Sequence, residues 1–157
     1  MITVRPSIVP DISEVAKTMR PEDISEVYAG SGDTPQRALT KGYLHSTECF
    51  TLVSPEGLRL GMFGYLKSRT EPCGAVWMLA STHLLDHKWS FLRQSRQWVD
   101  YMQDRCSLLF NCVDERNKIH IEWLQWLGFK FVRIIPEYGH QKLPFIEFVR
   151  INHVRSR

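Results

Sequence analysis

The chain has 157 residues, of which 43% are hydrophobic and 24% charged, a balance typical of globular rather than disordered proteins. Its length favours a single domain over residues 1–157. The net charge of +3 is too small to favour a dedicated nucleic-acid binder, and the chain lacks the long apolar run of a membrane span and the layout of a signal peptide. We therefore expect a soluble protein that is not secreted.

The first third of the chain predicts one strand followed by helices. Ile2 to Arg5 alternates as a short strand does, and apolar residues then recur at helical spacing from Pro10 to Met19. Pro21 is predicted to begin a second helix, and the acidic residues after it stabilise the positive, N-terminal end of the helix dipole. This helix is expected to end by Gly30–Gly32. Thr34 to His45 has the N-cap and first-turn proline of a third helix.

The middle of the chain changes to strand-like patterns. Cys49–Val53 and Leu58–Leu66 are joined by Ser54-Pro-Glu-Gly57, which has the chemistry of a hairpin turn. Ala75–Ala80 is continuously apolar, as a strand covered on both faces is. His87–Arg105 then carries one apolar stripe, which predicts a long helix packed on the sheet.

The last third adds a strand, a short helix and a closing hairpin. Leu108–Val113 is a buried strand candidate, and Asn117–Leu127 a helix that Gly128 stops. Phe129–Ile135 and Phe145–Ile151 complete the order as an antiparallel pair. The whole order predicts an α/β (α+β) fold, a mixed sheet with helices on both faces.

The segment from Asn117 to Phe129 resembles a motif of the GCN5-related N-acetyltransferases, the GNAT family. The family places an apolar-Tyr pair six and seven residues after the Asn and Gly-Phe at eleven and twelve, where this chain has Trp123-Leu124 and Gly128-Phe129. The order of elements is similar over nearly the whole chain. The resemblance implies a GNAT-like mixed central sheet flanked by helices on both faces.

Two departures from the family bear on activity. The family holds the pyrophosphate of coenzyme A (CoA) with a glycine-rich loop before the long helix, but Ser81–Trp89 contains no glycine and carries Asp86. Leu124 stands where many members have the tyrosine that acts as general acid, and leucine cannot donate a proton. We therefore expect no bound cofactor and a catalytically degenerate protein.

The tryptophan-rich long helix and the pattern around His120 look like a branch of the fold from short-tailed bacteriophages. That resemblance implies a phage-encoded internal virion or assembly protein, located in the host cytoplasm or the particle, that works through contacts with other virion proteins. Trp98 and Trp126 are the candidate anchors for such a partner.

The alternative hypothesis is an acyl-CoA-dependent N-acetyltransferase that acts on a protein or small-molecule amine. Acetyl-CoA would then contact the strand backbone and nearby polar side chains, for which the candidates are Leu79, Ala80, Ser81, Lys88, Arg93, Arg96 and Asn117. The candidates for a catalytic base are Glu48, His120 and Glu137. For His120, a buried structural role is the competing interpretation.

Metal and nucleic-acid sites find little support in the sequence. His83 and His87 lie four residues apart, but no third ligand stands at a recognisable spacing, so we expect no metal. The basic residues are sparse and are not interleaved with aromatic ones, which does not favour nucleic acid. The four cysteines have no CxxC pair and are expected to be reduced: Cys49, Cys73, Cys106 and Cys112.

Overall fold

The computed structural model of the protein describes residues 1–152. These residues form seven strands and five α-helices. In chain order they are β1 (Thr3–Pro6), α1 (Val9–Lys17), α2 (Pro21–Ser31), α3 (Pro35–His45), β2 (Glu48–Val53), β3 (Arg59–Lys67), β4 (Cys73–Ala80), α4 (Lys88–Arg105), β5 (Leu108–Asp114), α5 (Lys118–Trp126), β6 (Lys130–Tyr138) and β7 (Leu143–Ile151). A 3₁₀ turn, Thr82–His87, joins β4 to α4.

The strands form one mixed sheet in the order β1-β2-β3-β4-β5-β7-β6. All neighbouring pairs are antiparallel except β4 and β5, which are parallel and are connected by the α4 crossover. Residues of α4 and α5 pack on one face of the sheet, whereas α1 and α3 pack on the other. The predicted GNAT-like sheet with helices on both faces is therefore confirmed.

The sheet opens between its two parallel strands. β4 and β5 pair only from Cys73 to Ala75, opposite Leu108 to Phe110. Beyond this point the Asn111 side chain donates from Nδ2 to the Val76 carbonyl at 2.6 Å. The carboxyl halves of the two strands are then left without a strand partner on the sides that face each other, and this opening positions the candidate site.

The hairpins and the central strand lie where the sequence predicts them. β2 and β3 are antiparallel around the turn at Gly57, whose φ of 89° lies in the left-handed region that glycine tolerates. β4 is in mid-sheet, and β6 and β7 close the order as a hairpin. One predicted boundary is wrong: the strand predicted to end at Ile135 continues to Tyr138, so the candidate base Glu137 belongs to β6 rather than to the loop that follows it.

A buried ion cluster ties β1 to the rest of the sheet. Asp11 is fully buried and accepts hydrogen bonds from both terminal nitrogens of Arg5 at 2.7 and 2.9 Å, and one from Arg59 Nε at 3.1 Å. It also accepts from the Ile8 N–H and the Thr51 hydroxyl. This cluster has a structural role, since it lies apart from the opening between β4 and β5.

Within residues 1–152, none of the helices is long and apolar enough to cross a lipid bilayer.

Candidate functional site

The N-terminal end of α2 closes one side of the strand opening. The Ala80 N–H, at the end of β4, donates to Asp23 Oδ2 at 2.9 Å, and the Ala80 carbonyl accepts from the Arg20 N–H at 2.9 Å. Arg20, which is 2% exposed, also donates to Asp23 Oδ1 at 3.1 Å. The start of α2 thus occupies the free edge of β4.

The same helix reaches the other side of the opening one turn later. Glu26 Oε1 accepts from the Asp114 N–H, at the end of β5, at 2.8 Å, and from Asn117 Nδ2 at 3.4 Å. Asn117 Nδ2 donates to Asp23 Oδ1 at 3.1 Å, and its Oδ1 accepts from Arg20 at 3.3 Å. Two carboxyl groups three residues apart on one helix therefore bind the two diverging strands.

The far end of α2 is fixed by the last hairpin. The N–H groups of His140 and Gln141 donate to the carbonyls of Gly30 and Ala29, each at 3.0 Å. Gly139, between the two strands, approaches Gly30 so closely that a side chain there would collide with the Gly30 carbonyl. α2 is therefore held at both ends across the opening.

A cavity of about 450 Å³ lies at the opening and is lined mostly by apolar side chains from both faces of the sheet. Its walls include Val76 and Met78 of β4, Trp77 on the opposite face and Trp123 of α5. This volume and lining are typical of a small-molecule site. Lys41 and His45, both exposed on α3, mark the part of the wall nearest to solvent.

Glu26 and His120 supply the titratable groups on the inner wall of the cavity. Burial, together with the nearby Asp23 charge, raises the pKa of Glu26 to about 8, although hydrogen bonds from Asp114 and Asn117 act in the opposite direction. Burial also lowers the pKa of His120. At neutral pH we therefore expect both groups to be uncharged.

One backbone position of β4 still presents its polar groups to the opening. Along a strand, the backbone N–H and C=O groups of successive residues point alternately toward one neighbouring strand and toward the other. Val76 and Ala80 direct their backbone groups away from β3. Met78 lies between them, so its N–H and C=O also point into the opening, beside the cavity that it lines. An extended polar chain could form hydrogen bonds there.

The predicted CoA contacts on β4 are engaged within the protein. The Ser81 N–H donates to the Leu60 carbonyl at 2.9 Å, and Leu79, by alternation, directs its backbone to β3. Ala80 is bonded to Arg20 and Asp23, as described above. A ligand could bond Ala80 only by displacing the start of α2.

The predicted phosphate ligands lie outside the cavity. Lys88, Arg93 and Arg96 are exposed on α4, and Arg96 stacks its guanidinium on the Trp126 ring with 4.1 Å to the centroid. Between β4 and α4, the 3₁₀ turn replaces a glycine-rich loop, and its Thr82 N–H donates to the Thr18 carbonyl at 2.8 Å. We find no backbone cradle for phosphate in this turn.

The two anchor candidates differ in exposure. Trp126 is 40% exposed, whereas Trp98 packs against the core and contacts the rings of Phe50 and Phe63. The predicted anchor Trp98 is therefore largely covered within the protein, because the stripe of α4 that carries it faces the sheet. Trp89, in the first turn of α4, is 73% exposed.

Of the three candidate bases, His120 lies at the cavity. The Glu48 carboxylate accepts from the hydroxyls of Tyr65 at 2.6 Å and Tyr101 at 2.9 Å, away from the cavity lining. Glu137 is exposed on β6. The structure adds Glu26, which sequence reasoning missed. A signal existed, because Asp23, Glu26 and Val27 share one face of α2, and acids on an apolar face indicate burial.

Asp23, Glu26 and His120 are close enough to be considered as a metal site. Both oxygens of Asp23, however, already accept hydrogen bonds, from Arg20, Asn117 and the Ala80 N–H. The buried Arg20 cation would also oppose a metal ion. We therefore assign no metal to this cluster.

Solved structures with the same fold are N-acetyltransferases. A GCN5-related N-acetyltransferase from Kribbella flavida has 17% sequence identity and a TM-score of 0.67, over 96% of this chain and 97% of that chain. A GNAT-family acetyltransferase from Bacillus anthracis has 9% identity and a TM-score of 0.73, over 96% and 94% of the two chains. At these identities the likeness shows the GNAT fold alone.

A third solved structure with this fold contains bound ligands. The spermidine N-acetyltransferase from Vibrio cholerae, solved in complex with CoA and spermine, has 12% identity and a TM-score of 0.69, over 96% of this chain and 95% of that one. No family model matches the sequence, and no curated protein is similar to it. The fold is therefore defined by structure rather than by sequence similarity.

The residues around the strand opening suit one part of CoA but not another. The apolar cavity and the Met78 backbone groups suit an acyl group and the chain that bears it. The 3₁₀ turn does not suit the phosphates, since it offers no glycine-rich backbone and includes Asp86. The basic residues of α4 remain predicted phosphate ligands.

Proposed function

We propose that the protein is an acyl-CoA-dependent N-acyltransferase that acts on an amine. The observation that carries the proposal is the apolar cavity at the strand opening, with the Glu26 carboxyl group on its wall. The fold supports it as well, since solved neighbours of this fold are acetyltransferases, one of them in complex with CoA and spermine. Acyl-CoA would supply the acyl group as a thioester, whose carbon exchanges its bond to sulfur for one to the amine nitrogen.

Glu26 is suited to the proton transfer that this reaction needs. An ammonium group must lose a proton before its nitrogen can attack, and a base works best when its pKa is close to the working pH. The pKa of Glu26, raised by burial to about 8, meets that condition. His120 lies beside it, with Nδ1 at 3.9 Å from Glu26 Oε2, and the walls around both groups are mostly apolar.

The start of α2 must move if the donor is to use the β4 edge beyond Met78. The groups to be released are the hydrogen bonds of Ala80 to Asp23 and Arg20. Leu124 offers no proton to the leaving thiolate, which must take one from elsewhere. The proposal therefore predicts slow transfer that becomes faster when Ala80 is released.

Calorimetric titration with acetyl-CoA and CoA tests the proposal. We expect micromolar binding and, with an amine added, an acylated product detected by mass spectrometry. Asp23→Ala should bind the donor more tightly, because it frees the Ala80 N–H. Glu22→Ala is the matched control, since Glu22 is exposed on the same turn and contacts Arg20 at 3.5 Å. Absence of binding by both wild type and Asp23→Ala would refute the proposal.

A second candidate function is a protein-binding scaffold without a donor, which the closed Ala80 edge and the exposed Trp89 favour. In this case acetyl-CoA would give no heat, and a partner would bury the Trp89 ring. The narrower assignment to virion assembly in a phage, with its location in the host or the particle, stays a prediction that rests on the sequence resemblance.

A further inference from the structure

We propose that the cavity selects a primary amine with one positive charge and an apolar body, and discriminates against polyamines. The inference deepens the proposed function, because it names the class of acceptor for the same site. It rests on which polar atoms face the cavity, and on how few of them are acidic.

The cavity presents two adjacent polar atoms at its inner wall. Glu26 Oε1 is bonded to Asp114 and Asn117, but Oε2 has no hydrogen bond within residues 1–152, and the nearest partner, His120 Nδ1, is 3.9 Å away. No side-chain nitrogen or oxygen of the described chain is both buried and unbonded. Glu26 Oε2 and the His120 ring nitrogens are therefore reached from the cavity, since both residues line it.

A primary ammonium group matches this pair of atoms. It has three N–H donors on one nitrogen, and a nitrogen placed between two acceptors 3.9 Å apart can donate to both. A neutral imidazole offers one acceptor nitrogen, and a Glu26 carboxylate offers Oε2. A hydroxyl group has a single donor and brings no charge to pair with the carboxylate.

The charges around Glu26 favour a single incoming cation. The titratable and polar side chains around it are Asp23, Asp114, Arg116, Asn117, His120, Tyr138 and, behind Asp23, Arg20. Asp23 is paired with Arg20, and Asp114 with Arg116 at 2.7 Å. The surroundings are thus balanced while Glu26 is protonated, and an ammonium group restores that balance when Glu26 loses its proton.

The rest of the lining offers a second positive charge no acid that lacks a cation partner. Among residues 1–152 the cavity has one other acid, Asp33, whose Oδ2 already accepts from Lys41 Nζ at 2.8 Å and from Ser31 at 2.9 Å. The remaining walls are mostly aromatic and aliphatic, among them Phe63, Trp77 and Met78. A polyamine would leave charged nitrogens unpaired against these walls, which is costly.

Calorimetric titration without any CoA compound tests the selection, using octylamine, octanol, octanoate and spermidine as probes. We expect octylamine to bind at least ~10-fold more tightly than the other three, because a charge-assisted hydrogen bond adds to the same apolar contact. Shorter alkylamines should lose affinity by about fourfold per methylene, the equivalent of roughly 0.8 kcal/mol. Near pH 6.5, octylamine should release close to one proton per molecule bound, and octanol none.

Glu26→Gln is the decisive variant. The amide oxygen can still accept from Asp114, so the fold should persist, which thermal unfolding checks. Octylamine should then bind about as weakly as octanol, with no proton released. His120→Leu should weaken octylamine binding to a smaller extent. Glu14→Gln, exposed on α1, is the matched control and should change nothing.

Several outcomes would overturn the inference: octanol binding as tightly as octylamine, spermidine binding more tightly, no effect of Glu26→Gln, or no octylamine binding at millimolar concentration. The proposed function fails independently. Octylamine binding without acetyl-CoA binding would leave an amine-binding protein, whereas acetyl-CoA binding without amine selection would leave a transferase for another acceptor.

Discussion

Asp11 and Glu26 are both carboxyl groups removed from water, yet their surroundings drive their ionisation in opposite directions. Burial alone would raise the pKa of Asp11, but hydrogen bonds from Arg5, Ile8, Thr51 and Arg59 hold it well below its usual range. Burial and the nearby charges of Asp23 and Asp114 raise the pKa of Glu26 to about 8, because its two hydrogen-bond donors do not offset them. The comparison shows that the neighbours of a buried acid decide its charge.

The two regions differ in role for the same reason. A fully bonded carboxylate such as Asp11 cannot take part in proton transfer without breaking its ion pairs, so it fixes β1 and α1 to the sheet. Glu26 keeps one oxygen without a partner in residues 1–152, at the wall of a cavity. Perturbed pKa values of this kind are common at functional sites.

Asp11→Asn should have the largest destabilising effect. It removes the charge that pairs with Arg5 and Arg59, and we expect the free energy of unfolding to fall by about 3 kcal/mol, the lower end for a buried pair because both arginines are 32% exposed. Chemical denaturation at pH 7 measures the change. The pKa of Asp11 is lowered on folding, so its contribution is present above about pH 3.9 and is lost at lower pH.

Wild type and Asp11→Asn should therefore converge in stability as the solution is made more acidic. A constant difference from pH 7 to pH 2 would show that Asp11 acts through packing rather than charge. Glu14→Gln on the exposed side of the same helix should leave stability unchanged within ~0.5 kcal/mol.

Glu26→Gln should have an effect of similar size and opposite sign. The folded pKa of about 8 exceeds the ordinary value of 4.5, so the contribution of Glu26 is fully present below pH 4.5 and is lost as the pH rises to 8. Glutamine cannot ionise and escapes this loss. Relative to wild type, the free energy of unfolding of the variant should rise by up to about 1.4 kcal/mol per pH unit in that window, so the variant should be more stable at pH 7.

Thermal unfolding of both proteins from pH 4 to pH 9 measures this gain. The difference should be smallest near pH 4 and should level off above pH 8. A variant less stable than wild type at pH 7 would mean that Glu26 is ionised in the folded protein, as Asp11 is, and the contrast between the two acids would disappear.

Lys41→Met should have the smallest effect. It breaks the ion pair with Asp33, whose pKa Lys41 lowers, but the lysine side chain is 55% exposed and water screens the pair. We expect a change of less than about 1 kcal/mol, reduced further at high salt. Denaturation at two ionic strengths checks it. A loss as large as that of Asp11→Asn would contradict the view that the exposure of the partner cation limits the strength of the Asp33 ion pair.

Much of the fold could be predicted because its signals are local. The Ser54–Gly57 turn, the apolar run of β4 and the helix from Asn117 to Gly128 each follow from neighbouring residues, and all three are observed. The sequence also predicted the absence of a glycine-rich loop, where the structure has a 3₁₀ turn. Local hydrogen bonding and hydrophobic periodicity are sufficient for such features.

The candidate site was predicted less well, because its contacts join distant parts of the chain. In the sequence, Asp23 is an acid in the first turn of a helix, a common and exposed position. Only the structure shows that it binds Ala80, 57 residues later, and that Asn117 joins it to Glu26. Likewise, only the structure shows that Trp98 packs against the core while Trp89 is exposed, since the direction of α4 on the sheet decides which side faces water.

The sequence by itself determined the elements and their order, because strand, turn and helix preferences depend on residues close together in the chain, and its resemblance to the GNAT family implied the form of the sheet. Tertiary structure alone decided that β4 and β5 separate after Ala75, that α2 bridges them, and that Glu26 faces a cavity with a raised pKa. The ionisation of a buried group depends on its neighbours in space, and residues far apart in the sequence supply them.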